Sequence, residues 1–374
     1  MATTESPRRR TGRYIALLVL VAAACVGWTI LWFYAANRAE ATLDEWRVRE
    51  AASGRVYACG SESIGGYPFR IEVTCDQASA QFRNDQLPIA LQAGGLLVAA
   101  QIYDPTLLIG EFRGPLTVAA TDRTPPVIVN WKLFQSSVRG TPSAPERVSL
   151  VLDKPVIERV VGGNQQIWLR AEHAEIHGRI AEGSVASNPV IELALQLAAA
   201  SAEAIHPGAA TPIDADVTAV LRGLTDFAPK PWADRFREIQ AAGGRIDISQ
   251  ARLRQGESVA VGGGSLSLDA NGRLQGQLRV TVAGLEPLLK SIGAEQMVQT
   301  SPHMDRLAGA LDRFAPGLGK MARQQVGANI STGINMLGEQ TTLEGKRAVA
   351  LPLRFEDGVA MLGPIRIGEV PALF

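Results

Sequence analysis

From Tyr14 to Ala36 the chain reads YIALLVLVAAACVGWTILWFYAA, 23 positions without a charge. An α-helix rises 1.5 Å per residue, so about 20 apolar residues cross a hydrocarbon core of about 30 Å. The stretch therefore predicts a transmembrane helix over residues 14–36, with the lipid bilayer as its partner. Arg8, Arg9, Arg10 and Arg13 precede it against Glu5 alone. The positive-inside rule keeps such a flank in the cytoplasm, so residues 1–13 are expected to form a basic cytoplasmic tail. Trp28, Trp32, Phe33 and Tyr34 gather at the other end, where amphipathic rings sit at headgroup level.

Two other uses of an apolar N-terminal stretch fit less well. A cleaved signal peptide has an apolar core of about 7–15 residues and a small-residue cleavage site, whereas this run is longer and ends in bulky aromatics. A lipoprotein anchor at Cys25 would leave eleven uncharged residues beyond the modified cysteine. Residues 37–53, NRAEATLDEWRVREAAS, carry Leu43, Trp46 and Val48 as their large apolar side chains and read as a polar helical stalk.

Beyond the stalk the balance is 33 basic against 36 acidic residues, since four of 37 basic and one of 37 acidic residues lie before position 14. A nucleic-acid binder needs a basic surface to neutralise phosphates, and this composition supplies none. Aromatic residues make up 6% of the chain against 46% apolar residues, so the interior is expected to be aliphatic. Cys59 and Cys75 are the two cysteines outside the apolar stretch, and an even number on the oxidising side of a membrane predicts a disulfide closing a loop of about 15 residues.

Period-two alternation dominates the chain past the stalk. Phe69, Ile71 and Val73 alternate with Arg70, Glu72 and Thr74 after the Gly65-Gly66 and Pro68 turn signals. Val148, Leu150 and Leu152 share a face. Two short apolar runs flank Gly162-Gly163-Asn164, and Ile191, Leu193, Leu195 and Leu197 form another face. From 244 to 283 the pairs Ile246/Ile248, Val259/Val261, Leu266/Leu268 and Leu278/Val280 each mark a strand face. Val261-Gly262-Gly263-Gly264 and Asp269-Ala270-Asn271-Gly272 read as hairpin turns. Helical signals are confined to 231–242, 286–297 and 304–337. The expected fold is a β-dominated α+β class: an N-terminal transmembrane helix, then a large antiparallel β-sheet domain over 54–374 with a helical insertion at about 285–340.

GYPFRIEVTC (66–75), AAQIYDPTLLIGEFRGPLTV (99–118), the Trp131 segment through PERVSLVLDKP (145–155), GRLQGQLRVTVAGLEPLL (272–289) and LPLRFEDGVAMLGPIRIGEVPALF (351–374) together resemble domain-of-unknown-function family 2125. That resemblance implies a single-pass envelope protein of a Gram-negative bacterium and brings no activity with it. The strand-rich stretch at 262–289 is also similar, on glycine-punctuated alternation alone, to the sheet of AsmA-type envelope proteins, which would imply a groove for lipid chains.

Candidate chemistry is sparse. His173, Glu175 and His177 fall on one face of a strand, and two imidazoles with a carboxylate are zinc ligand types. No third strong ligand lies nearby, and Ala174, Ile176 and Ile180 would be the buried side. Gly256-Glu257-Ser258-Val259-Ala260 imitates a nucleophile elbow without its final glycine. Asp305 and Asp312, each beside an arginine, read as a solvated helix face. No complete catalytic set emerges and no cofactor is expected. The sequence thus points to a non-enzymatic inner-membrane protein with its bulk in the periplasm, acting in envelope biogenesis or maintenance. Lipid would be held in a sheet groove built on Val259, Val261, Leu266, Leu268, Leu278 and Val280. The alternatives are a scaffold for another envelope protein and, lacking catalytic residues, an envelope hydrolase. Alternation alone fits both a sealed aliphatic core and an open groove.

Overall fold

The computed structural model describes residues 11–83, 88–120, 126–141, 144–228, 230–285, 338–363 and 365–374. It opens on one continuous helix, α1 (Thr11–Ala52), which covers both the uncharged stretch and the polar residues after it. Its first half is apolar all round: Leu17, Leu20, Val26 and Ile30 are all exposed, and the helix is long and apolar enough to cross a membrane.

The helix does not end with its apolar half. Its second half lies along the first strands, β1 (Arg55–Ala58), β2 (Ser61–Gly65) and β3 (Arg70–Asp76). The Trp28 indole donates to the Pro68 carbonyl at 2.7 Å and the Trp32 indole to the Arg70 carbonyl at 2.9 Å. Thr29 Oγ1 and the Tyr67 hydroxyl share a hydrogen bond of 2.9 Å. Trp32 meets Tyr67 edge-on, and further up Trp46 stacks on Tyr57 while Arg47 pairs with Glu62. Cys59 and Cys75 are bridged, with Cα atoms 5.4 Å apart, tying the start of β2 to the end of β3.

The rest is one antiparallel sheet built largely as a meander. After β4 (Ser79–Phe82), two long strands, β5 (Ile89–Gln101) and β6 (Asp104–Ala120), act as its spine. They fork. The end of β6 pairs with β7 (Val127–Asn130), which leads to β10 (Val156–Val161) and β11 (Asn164–Arg170). The start of β6 pairs with β8 (Leu133–Thr141), then β9 (Ala144–Asp153), β12 (His173–Ser184), β13 (Ser187–Ala200) and β14 (Ile213–Arg222). An aromatic cluster fills the fork: Phe112 stacks on Phe134 at 4.4 Å, Trp131 meets Phe134 edge-on, and the Trp131 indole donates to the Phe112 carbonyl at 3.0 Å.

The long branch continues through β15 (Arg245–Gln255), β16 (Ser258–Leu268), β17 (Leu274–Ala283) and β19 (Lys346–Glu356), with β18 (Glu339–Leu343) beside β19. It ends on β20 (Val359–Leu362) and β21 (Ile365–Glu369). Among the described residues β21 pairs with β20 alone and β2 with β3 alone, so the sheet does not close into a barrel. The second helix, α2 (Trp232–Ala241), opens after Pro231 as the sequence signals and packs on β16.

The turn expectations met different fates. The β10–β11 turn rests on Gly162 and Gly163, both at positive φ, and the β16–β17 turn on Asp269–Gly272, with the Gly272 amide donating to the Asp269 carbonyl. The turn expected at 261–264 does not exist, because β16 runs straight through it. Those glycines serve close approach instead: a Cβ at Gly264 would stand 2.3 Å from the Gln277 carbonyl oxygen, and one at Gly263 2.9 Å from that of Ile248. The helical signals at 286–297 and 304–337, and Asp305 and Asp312 within them, lie outside the described residues.

Candidate functional site

Register assigns every strand residue to one of two faces, because directly paired residues point the same way. On one face a row of aliphatics crosses the long branch: Val148 opposite Gly178, Gly178 opposite Leu193, Leu193 opposite Ala219 and Ala219 opposite Ile248. A parallel row runs Leu150, Ile176, Leu195, Val217 and Ala251. The opposite face carries Arg147, Arg179, Glu192, Asp216 and Arg252. Continuity depends on a bulge in β15, where Ile248 pairs with Gly264 and Ala251 with Gly262, so the aliphatic face survives a change of parity at Ser249.

Among the described residues the aliphatic face is not sealed. Along its middle Val148 is 38% exposed, Ile176 45%, Leu195 37% and Leu253 44%. A contiguous exposed apolar surface of this kind is unusual for a protein with no partner. One end is roofed by α2, and beneath it lies a cavity of about 460 Å³ walled by Ile191, Leu221, Phe227, Phe236, Leu266 and Leu274. That volume falls in the range of about 300–1,000 Å³ typical of small-molecule sites. A second cavity, of about 270 Å³, shares Ile191 and Phe227 and extends to Val148 and Ile180 on β9 and β12. Together they make a groove that starts under α2 and opens along the sheet.

Polar groups secure the roof. Arg235 on α2 donates to Glu238 at 2.8 Å and to the Asp226 carbonyl at 2.8 Å, and Lys230 reaches Glu238 at 2.7 Å. Burial pushes the Glu238 carboxyl up, but hydrogen bonds from Lys230 and Thr225, with the Arg235 charge, outweigh it and hold the group down at about 2. Arg245, the other charged wall residue of the larger cavity, is paired with Asp247 at 2.9 Å.

The six residues expected to build a groove divide between the faces. Leu266 and Leu268 line the cavity under α2. Leu278, paired with Gly264, and Val280, paired with Gly262, continue the same face. Val259 and Val261 point the other way, paired with Arg254 and Arg252 on the charged face. The physical reason is parity: 259 and 266 differ by an odd number, and with no turn at 261–264 an uninterrupted strand sends them to opposite sides. Sequence reading missed α2 as the roof, along with Phe227, Phe236 and Ile191. The signal that could have found the roof and its phenylalanines is a short amphipathic helix carrying Phe236, with Phe227 in the segment just before it.

His173, Glu175 and His177 share the charged face of β12 and bond one another. His173 Nδ1 meets Asp153 at 2.6 Å and its Nε2 meets Glu175 at 2.6 Å, while His177 Nε2 meets the other Glu175 oxygen at 2.8 Å. The Glu175 and Asp153 hydrogen bonds raise His173 above its ordinary value, and the two imidazoles lower Glu175. Among the described residues no group of three or more His, Cys, Asp or Glu is arranged to hold a metal ion. Ser258 in the elbow-like stretch is 4% exposed, and its hydroxyl donates to the Gly284 carbonyl at 2.7 Å, so it is packed and already bonded rather than presented to a substrate.

Comparison with known proteins adds the lineage. Residues 32–371 match the family described as an uncharacterised protein conserved in bacteria, DUF2125. The chain belongs to the DUF2125 family. The match opens on Trp32, whose indole anchors the β2–β3 hairpin to α1, and runs through β21, so it takes in the upper part of the helix as well as the whole described sheet. No curated protein and no solved structure matches the chain significantly. The likeness to AsmA-type proteins finds no support in these comparisons.

Proposed function

We propose that this DUF2125 protein is a single-pass inner-membrane protein of a Gram-negative envelope, N-terminus cytoplasmic and bulk periplasmic, that holds a lipid acyl chain on its aliphatic sheet face and acts without catalysis. The observation that carries the reading is the uncovered aliphatic face leading into the apolar cavity under α2. Each buried CH₂ contributes about 0.8 kcal/mol, so a sixteen-carbon chain gains roughly 10 kcal/mol before ordering costs. The charged opposite face suits water, and the disulfide suits an oxidising compartment.

The test is lipid copurifying with the full-length protein, read by native mass spectrometry, for the wild type and Leu268→Lys. Leu268 is a half-buried residue of the cavity wall, where a lysine stem can pack on apolar surface while its ammonium reaches water. A folded variant that has lost lipid supports the groove. An unfolded variant together with a lipid-free wild type would leave a membrane-tethered scaffold for another envelope protein as the better reading.

A further inference from the structure

The β2–β3 hairpin is fixed to α1 at a depth that helix geometry sets. From Tyr14 to Trp28 the helix rises about 21 Å, short of the roughly 30 Å hydrocarbon core. A full span counted from Tyr14 reaches about Tyr34, so Trp28 sits about 9 Å inside the far edge. The hairpin tip touches α1 at that level, through the bond from Trp28 to the Pro68 carbonyl and the one that Thr29 shares with the Tyr67 hydroxyl.

The tip is chemically fit for that depth. From Ile64 to Phe69 it carries no charge. Tyr67 is 54% exposed, Phe69 64%, and Tyr103 in the adjacent β5–β6 turn 70%. A bilayer core tolerates backbone only where its polar groups are paired. Here the Gly66 carbonyl accepts from the Arg70 amide, the Pro68 carbonyl from Trp28, the Phe69 carbonyl from the Ile102 amide and the Arg70 carbonyl from Trp32. Proline at 68 has no amide to satisfy. Charges resume at once on the side away from the tip: Arg70 pairs with Glu72, and Asp104 is held by Thr106 and Arg139.

We propose that Tyr67, Pro68 and Phe69, with Tyr103 beside them, form an aromatic wedge that enters the outer leaflet next to the protein's own helix, reaching past the headgroups into the upper hydrocarbon, and seats the sheet on the bilayer surface. The occupant of this surface is phospholipid of the membrane α1 spans, so the inference rests on that spanning reading. Apolar rings suit that depth, the Tyr67 hydroxyl is paired with Thr29 there, and the wedge is continuous with the apolar surface of α1.

The test uses full-length protein in phosphatidylethanolamine/phosphatidylglycerol vesicles, in a Cys25→Ala background that leaves the disulfide intact. Nitroxides are attached to Val21→Cys, Phe69→Cys, Tyr103→Cys and Glu203→Cys, and collision rates with oxygen and with a water-soluble nickel chelate are measured. The wedge predicts an oxygen-to-nickel ratio at 69 and 103 several-fold above that at Glu203, which lies in an exposed loop, and below that at Val21. Ratios at 69 and 103 equal to that at 203, with Val21 still lipid-like, overturn the wedge and spare the transmembrane helix. A water-like Val21 overturns both.

Discussion

Two carboxylates converge on one imidazole at His173, and the consequence is a pH dependence with a definite sign. Asp153 and Glu175 raise its proton affinity in the folded state above the ordinary 6.5. The stabilisation is therefore complete below about 6.5 and is lost as pH rises through the raised value. Because Asp153 is on β9 and His173 and Glu175 are on β12, the loss is local to that strand pair. Hydrogen exchange, corrected for its intrinsic pH dependence, should show easier opening of β12 amides as pH rises above neutrality, and His173→Gln should flatten that trend. A wild-type opening free energy that stays level from about pH 6 to 9 would contradict the assignment. Nothing in the sequence places Asp153 opposite His173, since only strand register brings positions twenty residues apart together. The sharing of a face by 173, 175 and 177 was legible, because period two requires only that the segment be a strand.

Among the elements, the hairpin that docks on α1 is the one held by a covalent tie. The disulfide joins cysteines 16 positions apart around the β2–β3 hairpin, and in the chain-entropy account such a loop is worth about 3 kcal/mol. Cys59→Ser should therefore lower stability by about 2–4 kcal/mol, measured by denaturant unfolding of the purified protein with and without reductant. A variant as stable as oxidised wild type would contradict it. That pairing was legible because only two cysteines lie outside the apolar stretch. α2 was legible from Pro231 and the Gly243-Gly244 stop, whereas its role as a roof was not, because amphipathicity names a buried face without naming what it is buried against. The glycine triplet at 262–264 misled, since glycine marks both tight turns and close backbone approach, and only the positions of Gln277 and Ile248 across the sheet decide between them. The fork at β6 left no signal except the length of the strand. The docking of Trp28 and Trp32 was masked by their suitability for a membrane interface, where aromatic residues already have a reason to be.

For the whole molecule, the proposed function joins the arginine-rich flank and the open aliphatic face in one account: a helix that would fix the chain to a membrane and a sheet that would offer lipid a dry surface. Topology is its first requirement. A reporter enzyme that works only in the periplasm, fused after Phe374, should be active in full-length, membrane-fractionated protein, and activity of a cytoplasm-dependent reporter at the same place would contradict the orientation. The central claim, that lipid occupies one face of the sheet, is tested most directly by photo-crosslinking in living cells grown with labelled phosphate. A photoreactive amino acid is placed at Ile176, Leu195 or Leu253 on the aliphatic face and at Arg179, Glu192 or Arg252 on the charged one. The account predicts phospholipid adducts at the first three positions and none at the second three. Adducts absent from both faces, or equal on both, would contradict it.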